Sequence, residues 1–302
     1  MNDFRRFRTV NQDAGWQDAG WQDARWFLLS PSALQALVFL FVFGVCVLAL
    51  PLRPWAQERL VDLELVIAVD ISGSVDDDEA ALQRQGYINA FRDPRVVDAI
   101  KHGPNGAIAV TYFEWAGSHH QLTLVDWSLI DSKEAADNFA GALAFEPIMV
   151  NVWTSISGAM LAGMESFRRS PYKAARRVID ISGDGANNDG LPVLLARQRA
   201  LATGMTINGL PIINDKPSRF GRRQIPNLDY YYTDCVIGGP GAFIIVANGF
   251  EDYGRAVRRK LILEIAGAVP PAPQPGHIIP TASPDRPPCT VGEGLRQETD
   301  DF

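Results

Sequence analysis

Residues 63–74 read LELVIAVDISGS, a short run of apolar and β-branched residues that ends in an Asp-x-Ser-x-Ser motif. A nearly continuous apolar run of this length is typical of a strand buried on both faces, as in the centre of a parallel sheet. Asp70, Ser72 and Ser74 follow the run at alternate positions. The stretch therefore predicts a central β-strand whose carboxyl end opens into an oxygen-rich loop.

The middle of the chain alternates between strands of this kind and helices. Further strands are predicted at 107–113, 121–127, 177–182, 206–211 and 242–247, and helices at 76–91, 132–144, 154–167, 192–203 and from about 250. This alternation predicts an α/β fold with a doubly wound, mostly parallel central sheet and helices on both faces, in the Rossmann-like manner. In such sheets the loops at the carboxyl ends of the strands gather at one edge and form the binding site.

Composition divides the chain into four regions. Residues 1–32 form a polar leader that we expect to be disordered, and 33–52 form an apolar stretch without charge. Residues 61–267 are the predicted globular domain. Residues 268–302 contain a stretch with eight prolines and are expected to form a disordered tail.

The apolar stretch 33–52 is close to the roughly 20 residues that cross a bilayer. Two interpretations remain open: an uncleaved transmembrane anchor, or a signal whose apolar region precedes cleavage near Ala56. The long leader favours the anchor. Arginines before the stretch place the N-terminus in the cytoplasm. We therefore expect the domain to be exported, either anchored in the inner membrane and facing the periplasm, or periplasmic or secreted after cleavage.

Charge and cysteine usage exclude several functions. The 302 residues include 28 Lys and Arg against 35 Asp and Glu, a formal net charge of −7 without a long basic run, which argues against nucleic-acid binding. No catalytic triad or phosphate-binding loop is present, so we expect no enzymatic activity. Cys235 is either a buried thiol or the disulfide partner of Cys289 in an oxidising compartment, and a mobile tail would disfavour the pairing.

Oxygen-bearing side chains follow several of the predicted elements. Asp70, Ser72 and Ser74 follow the first strand, Thr154 opens a helix and Asp184 follows the strand at 177–182. Each alone has a simpler explanation, a turn or a helix cap. Together they offer hard oxygens and neither His nor Cys, which suits Mg²⁺, Ca²⁺ or Mn²⁺. The combination predicts one divalent cation site.

Over residues 61–267 the chain resembles a von Willebrand factor A domain with its metal-ion-dependent adhesion site, DxSxS…T…D. VDLELVIAVDISGSVD and RRVIDISGDGANNDG in particular resemble an exported bacterial subfamily of uncharacterised function. The resemblance implies that the Ser and Thr hydroxyls approach the ion directly and that the Asp carboxylates bind directly or through water. Gly183 departs from the family pattern, which often has Thr there. The implied ligands are Asp70, Ser72, Ser74, Thr154 and Asp184.

The resemblance implies a protein-binding module in which a partner's Asp or Glu carboxylate completes the coordination of the ion. The apolar stretch 33–52 separately predicts attachment to the membrane through the N-terminal segment. A haloacid-dehalogenase-like phosphohydrolase is the alternative, with Asp70 as the nucleophile. Residues 183–189, GDGANND, partly match that family. However, Ser72 stands where that family has its acid/base Asp, and a hydroxyl is a poor proton donor.

Asp180 is a carboxylate in the middle of the predicted strand at 177–182, where burial is costly without a partner. Two roles are open for it. It could support the metal-binding loops, or it could pair with a nearby arginine such as Arg176 or Arg177.

Overall fold

A computed structural model of the protein describes residues 59–218, 221, 223–270 and 285–300, the last four by their backbone alone. All of them belong to the second of two compact units, residues 58–302. The predicted leader 1–32 and the predicted span 33–52 lie outside the described residues. Within the described part of the chain, no helix is long and apolar enough to cross a membrane.

The strands of the described residues are β1 Arg59–Val61, β2 Leu63–Asp70, β3 Ile108–Trp115, β4 Gln121–Ile130, β5 Tyr172–Ala174, β6 Arg177–Gly183, β7 Thr206–Ile213 and β8 Ala247–Asn248. Six of them form the central sheet in the order β4-β3-β2-β6-β7-β8, and all neighbouring pairs are parallel except β3 with β4. A small parallel pair, β1 with β5, lies outside this sheet.

The helices are α1 Asp77–Arg92, α2 Pro94–Lys101, α3 Lys133–Phe145, α4 Ile156–Arg169, α5 Val193–Ala202, α6 Leu228–Tyr231, α7 Tyr253–Ala266 and α8 Val291–Asp300, and a π-helical turn, Tyr232–Val236, follows α6. Asp76 caps α1 in a capping box with Glu79, which satisfies two backbone amides at the helix start. This cap fixes the point at which the chain leaves the Ser-rich loop.

Apolar side chains fill the space on both faces of the sheet. All eight residues of β2 are buried. One face packs against α1, α2, α3 and α7, and the other against α4, α5 and the turn after α6. Leu65 of β2 belongs to the first cluster and Val66 to the second. Adjacent strand residues point to opposite faces, so β2 is the central strand that both layers cover.

The doubly wound, mostly parallel sheet with helices on both faces is confirmed. The predicted strand at 242–247 is largely wrong, because only β8 pairs regularly with β7, and Ile244 makes one isolated bridge to Gly209. Sequence analysis also did not find α2 or the helical segment 228–236. The apolar residues of 242–247 still contribute to the core, since Phe243 and Ile245 are buried.

Asp180 pairs with neither of the arginines that the sequence suggested. Its carboxylate lies 2.5 Å from Lys260 Nζ, and Lys260 also contacts the carboxylate of Glu264. All three side chains are buried. Arg176 instead donates to the carbonyl oxygens that end α7, at 2.7 and 2.8 Å. The charge in the middle of β6 is therefore balanced by the last helix of the domain.

Part of the range predicted as a disordered tail is ordered. Residues 285–290 lead into α8, and Cys289 forms a disulfide with Cys235, a pairing that sequence analysis disfavoured. Cys289 and Val291 pack against the apolar cluster that contains Tyr231 and Tyr232. The disulfide and this packing offset the conformational entropy that the segment loses when it becomes ordered.

Candidate metal centre

The loop after β2 is held in place by hydrogen bonds to its backbone amides and carbonyl oxygens. Asp70 Oδ1 accepts a hydrogen bond from the Ser72 amide at 2.7 Å, and the Val75 amide donates to the Ser72 carbonyl at 2.9 Å. Gln83 of α1 donates to the Asp70 carbonyl at 2.9 Å. The Asp-x-Ser-x-Ser segment is thus a closed turn rather than an extended loop.

Two other loops bring their oxygens to this turn. Ser72 Oγ lies 3.2 Å from Ser74 Oγ and accepts from Thr154 Oγ1 at 3.2 Å. Ser74 Oγ donates to Asp184 Oδ1 at 2.5 Å. The structure therefore brings all five sequence-predicted residues together at the carboxyl edge of β2 and β6, as the topology of a parallel sheet requires.

Thr154 does not cap the helix that follows it. Ser155 is the N-cap of α4, and its Oγ accepts from the Gly158 amide at 3.1 Å. Thr154 is therefore not needed as a helix cap, and the Thr154 hydroxyl contacts Ser72 instead. Trp153, directly before it, has a φ of 66°. A non-glycine residue in the left-handed region is strained, so the surrounding contacts must hold this part of the chain.

The carboxylates of the cluster are buried close together. Burial, followed by the charge of Asp184, raises the pKa of Asp70 well above its ordinary value. Burial also raises the pKa of Asp184 to about 6, and the charge of Glu79 acts in the same direction. Two buried carboxylates favour an added positive charge, because a cation would stabilise their ionised forms.

One atom of the cluster indicates where such a charge would fit. Asp70 Oδ2 is buried and has no hydrogen-bond partner among the described residues. A buried carboxylate oxygen without a partner is costly. Three hydroxyl oxygens and a second carboxylate lie within the same cluster, and they are the hard donors that Mg²⁺, Ca²⁺ and Mn²⁺ bind. The residues present therefore fit a divalent cation.

Sequence analysis missed the residues that hold the Thr154 and Asp184 loops together. Asn188 Oδ1 accepts from the Thr154 amide and the Asn188 amide donates to the Thr154 carbonyl, both at 2.8 Å. Asn187 Oδ1 accepts from the Ser157 amide at 2.9 Å. The Asn-Asn-Asp end of GDGANND was a visible signal. Its role here is to join two loops.

Gln224 is a second residue that sequence analysis missed. Its Nε2 donates to the carbonyl oxygens of Asp184 and Ile212, both at 2.7 Å. It thereby ties the Asp184 loop to the end of β7. Nothing in the local sequence around Gln224 signals this role, because it depends on a contact between distant parts of the chain.

A cleft opens beside the cluster, with a volume of about 830 Å³. Asp70 and Ser72 are fully buried beneath the surface of the cluster. The cleft is lined by three of the predicted ligands, by the segment after β7 and by α8, including Ser74, Thr154, Asp184, Lys216, Arg223 and Leu295. The hydroxyl and carboxylate oxygens at its base are thus accessible from one side.

The same burial bears on the phosphohydrolase alternative. Asp70 has no exposed surface, and one of its oxygens already accepts from a backbone amide. A nucleophile must reach its substrate, and a second carboxyl is needed nearby as acid/base. Ser72 occupies that position, so the geometry disfavours Asp70 as a nucleophile.

The sheet topology is that of the von Willebrand factor A fold, and the DxSxS…T…D cluster lies at the carboxyl edge of its sheet. Residues 60–269 match the family described as "Protein of unknown function (DUF1194)", and the chain belongs to this family. No curated protein gives a significant match.

Several solved structures are similar to part of this chain. Proximal thread matrix protein 1 of the mussel byssus, solved with zinc in its MIDAS motif, is 15% identical and aligns over 69% of this chain and 49% of its own, with a TM-score of 0.50. The pilus adhesin SpaC from Lactobacillus rhamnosus GG is 12% identical over 69% of this chain and 32% of its own (TM-score 0.49). A von Willebrand factor type A structure from Catenulispora acidiphila is 14% identical over 68% and 42% (TM-score 0.44). This chain thus spans about half the length of the byssus protein and less than half the length of the other two.

Proposed function

We propose that this protein is a metal-dependent, non-enzymatic protein-binding module. Its site takes Mg²⁺, or Ca²⁺ or Mn²⁺, and its partner is a protein that presents an Asp or Glu carboxylate. The proposed ligands of the ion, directly or through water, are Asp70, Ser72, Ser74, Thr154 and Asp184. The byssus protein with a metal in its MIDAS motif supports a divalent ion in this fold.

One observation carries the proposal. Asp70 Oδ2 is buried without a partner beside three hydroxyls and a second carboxylate that come from three loops. The fold does not require hydroxyls in contact with one another at the base of a cleft, because water or an apolar side chain could take the place of each one.

The chemistry of the ligands indicates what the site would bind. If the two aspartates bind through water, the direct ligands are the neutral serine and threonine hydroxyls, which leave the positive charge of an ion largely uncompensated. When bound, a divalent cation with an open position supplies strong attraction for an anionic oxygen in a partly desolvated cleft. Ser74, Thr154 and Asp184 line the cleft, while Asp70 lies behind them. A carboxylate on a partner's surface is the matching group.

We further propose that the module is exported, anchored in the inner membrane through residues 33–52 and facing the periplasm, or released there if that segment is cleaved. The Cys235–Cys289 disulfide supports this proposal, because disulfides persist in oxidising compartments. The partner would then be a protein of the cell envelope or of the surroundings.

The test combines metal binding with partner capture. The purified full chain is titrated with Mg²⁺ and Mn²⁺ by isothermal calorimetry, and then immobilised to capture proteins from an envelope extract of the native host. We expect saturable binding of one ion, and proteins that are retained in Mg²⁺ and released by chelator. Absence of ion binding by the wild type would overturn the proposal.

Two controls make the capture specific. The double variant Ser72→Ala with Ser74→Ala should retain nothing that depends on Mg²⁺. An extract whose carboxylates have been converted to amides with carbodiimide and glycinamide should lose the metal-dependent partners. Retention that is equal in both extracts would contradict a carboxylate ligand, and Mg²⁺-dependent phosphatase activity that is lost in Asp70→Asn would favour the alternative.

A further inference from the structure

The chain returns to the metal-site edge of the sheet after the domain proper has ended. Residues 285–296, here called the C-terminal clamp, are tied down at their start. Cys289 is bonded to Cys235, and Arg286 pairs with Asp234 at 2.6 and 2.7 Å. The Arg286 guanidinium also lies 4.5 Å from the ring centre of Tyr230. A disulfide, an ion pair and a cation–π contact thus fix one end of the clamp.

The other end of the clamp lies on the loop that follows Asp184. Glu293 Oε1 accepts from Asn187 Nδ2 at 2.9 Å. Gly292 lies so close to Asn187 that a Cβ atom would overlap the Asn187 carbonyl oxygen. Arg296 contacts the carboxylate of Asp189 and lies 3.3 Å from the Asn188 carbonyl oxygen. Three clamp residues therefore grip three successive residues of one loop.

Arg296 also reaches the segment before Thr154. Its guanidinium lies 4.3 Å from the ring centre of Trp153, the residue with a left-handed backbone. The gripped loop and this segment are already joined, because Asn188 exchanges two hydrogen bonds with the Thr154 backbone. The clamp therefore contacts both segments whose relative position sets the Thr154 hydroxyl.

We propose that the C-terminal clamp is a positioning element of the metal site. It holds Trp153 and the loop that follows Asp184 together, so that the Thr154 and Asp184 oxygens face the cation site before the ion and the partner bind. Arg296 is its principal positioning residue. The inference rests on the proposed function. Its physical basis is preorganisation, since ligands that are already in place cost less ordering when an ion binds.

The test measures ion affinity separately from stability. Mn²⁺ binding to the oxidised full chain is followed by electron paramagnetic resonance, and unfolding in chelator by circular dichroism. Arg296→Ala, and separately Cys235→Ser with Cys289→Ser, should each weaken Mn²⁺ binding about 10-fold or more, the size typical of changes to groups that orient metal ligands. Arg296→Lys should recover part of the affinity, because it keeps the charge opposite Asp189 but loses the planar contact with Trp153.

Arg168→Ala is the matched control, since it removes an exposed arginine that pairs with Glu165 at 2.8 Å, and it should leave Mn²⁺ affinity unchanged. Clamp variants that unfold more easily in chelator but bind Mn²⁺ within about twofold of the wild type would overturn the clamp as a positioning element. Failure of the wild type itself to bind Mn²⁺ would instead overturn the proposed function.

Discussion

Ser74 and Asp184 are separated by 110 positions in the sequence, yet the Ser74 hydroxyl donates to Asp184 Oδ1 at 2.5 Å. The contact joins the turn after β2 to the loop after β6, and these two strands are neighbours in the sheet. The cluster is thus built across a strand pair whose backbone hydrogen bonds fix its geometry. This rigidity underlies the predictions about the metal site.

Binding of a divalent ion should stabilise the folded protein. At a Mg²⁺ concentration about 100 times the dissociation constant, binding to the folded state adds about 2.7 kcal/mol, which raises the melting temperature by about 5–10 °C. Ser72→Ala with Ser74→Ala should abolish this rise, because it removes two hydroxyl ligands. Differential scanning calorimetry in Mg²⁺ and in chelator measures both. Ser128→Ala, on β4, is the control and should melt as the wild type does in both conditions. A full rise in melting temperature with Mg²⁺ in the double variant would contradict Ser72 and Ser74 as ligands.

Asp70→Asn should separate metal binding from stability. The substitution removes a buried negative charge whose Oδ2 has no partner among the described residues. In chelator we expect the variant to be at least as stable as the wild type, since an uncompensated buried charge is costlier than a neutral amide. In Mg²⁺ it should gain nothing. Urea unfolding under both conditions measures the two effects, and a loss of more than about 1 kcal/mol in chelator would show that Asp70 is a structural residue.

Asn188→Ala tests the joint between the two loops. The variant loses the oxygen that accepts from the Thr154 amide at 2.8 Å. We expect Mn²⁺ affinity to fall about 10-fold, because the Thr154 hydroxyl is no longer held toward Ser72. Calorimetric titration measures the change. The control is Asn105→Ala, which removes a hydrogen bond to Asp62 in the turn before β3. Equal Mn²⁺ affinity of the two variants would refute the role of Asn188.

Lys260→Met should be strongly destabilising. Lys260 is buried between the carboxylates of Asp180 and Glu264, and its removal leaves both without their cation. Breaking a buried ion pair in this way costs about 3–5 kcal/mol. Lys133→Met, which removes an exposed pair with Asp137, should cost at most about 1 kcal/mol. Urea unfolding compares the two variants, and similar losses would mean that the buried cluster is not balanced by Lys260.

The same cluster predicts a pH dependence. Burial, with the charge of Asp180 acting in the same direction, raises the pKa of Glu264 from 4.5 to about 7. The folded state therefore holds this proton more tightly than the unfolded chain does. The contribution of Glu264 to stability is complete below pH 4.5 and is lost as the pH rises to about 7. In Glu264→Gln the free energy of unfolding should vary less over this range than in the wild type or in the exposed control Glu165→Gln, and an unchanged slope would contradict the prediction.

Several parts of the fold could be read from local patterns. The nearly continuous apolar run 63–69 predicted a strand buried on both faces, because a strand with one solvent-exposed face alternates apolar and polar residues. The partner of Asp180 could not be predicted in this way. Arginines nearby in sequence were the visible candidates, while Lys260 approaches only because α7 packs against β7, the neighbour of β6. The predicted strand at 242–247 was largely wrong for a related reason, since apolar residues at a sheet edge can be buried without forming a ladder.

Residue patterns along the chain were enough to predict most of the strand–helix alternation, the central strand and the kinds of oxygen ligand, because these depend on periodicity and on the residue types that follow each strand. The three-dimensional packing was needed to show that Ser155 rather than Thr154 caps α4, that Asn188 joins two of the loops, and that Cys289 reaches Cys235. Each of these facts concerns the distance between groups that are far apart along the chain or compete for one role. Such distances follow from the packing of the whole domain, and a local pattern does not contain them.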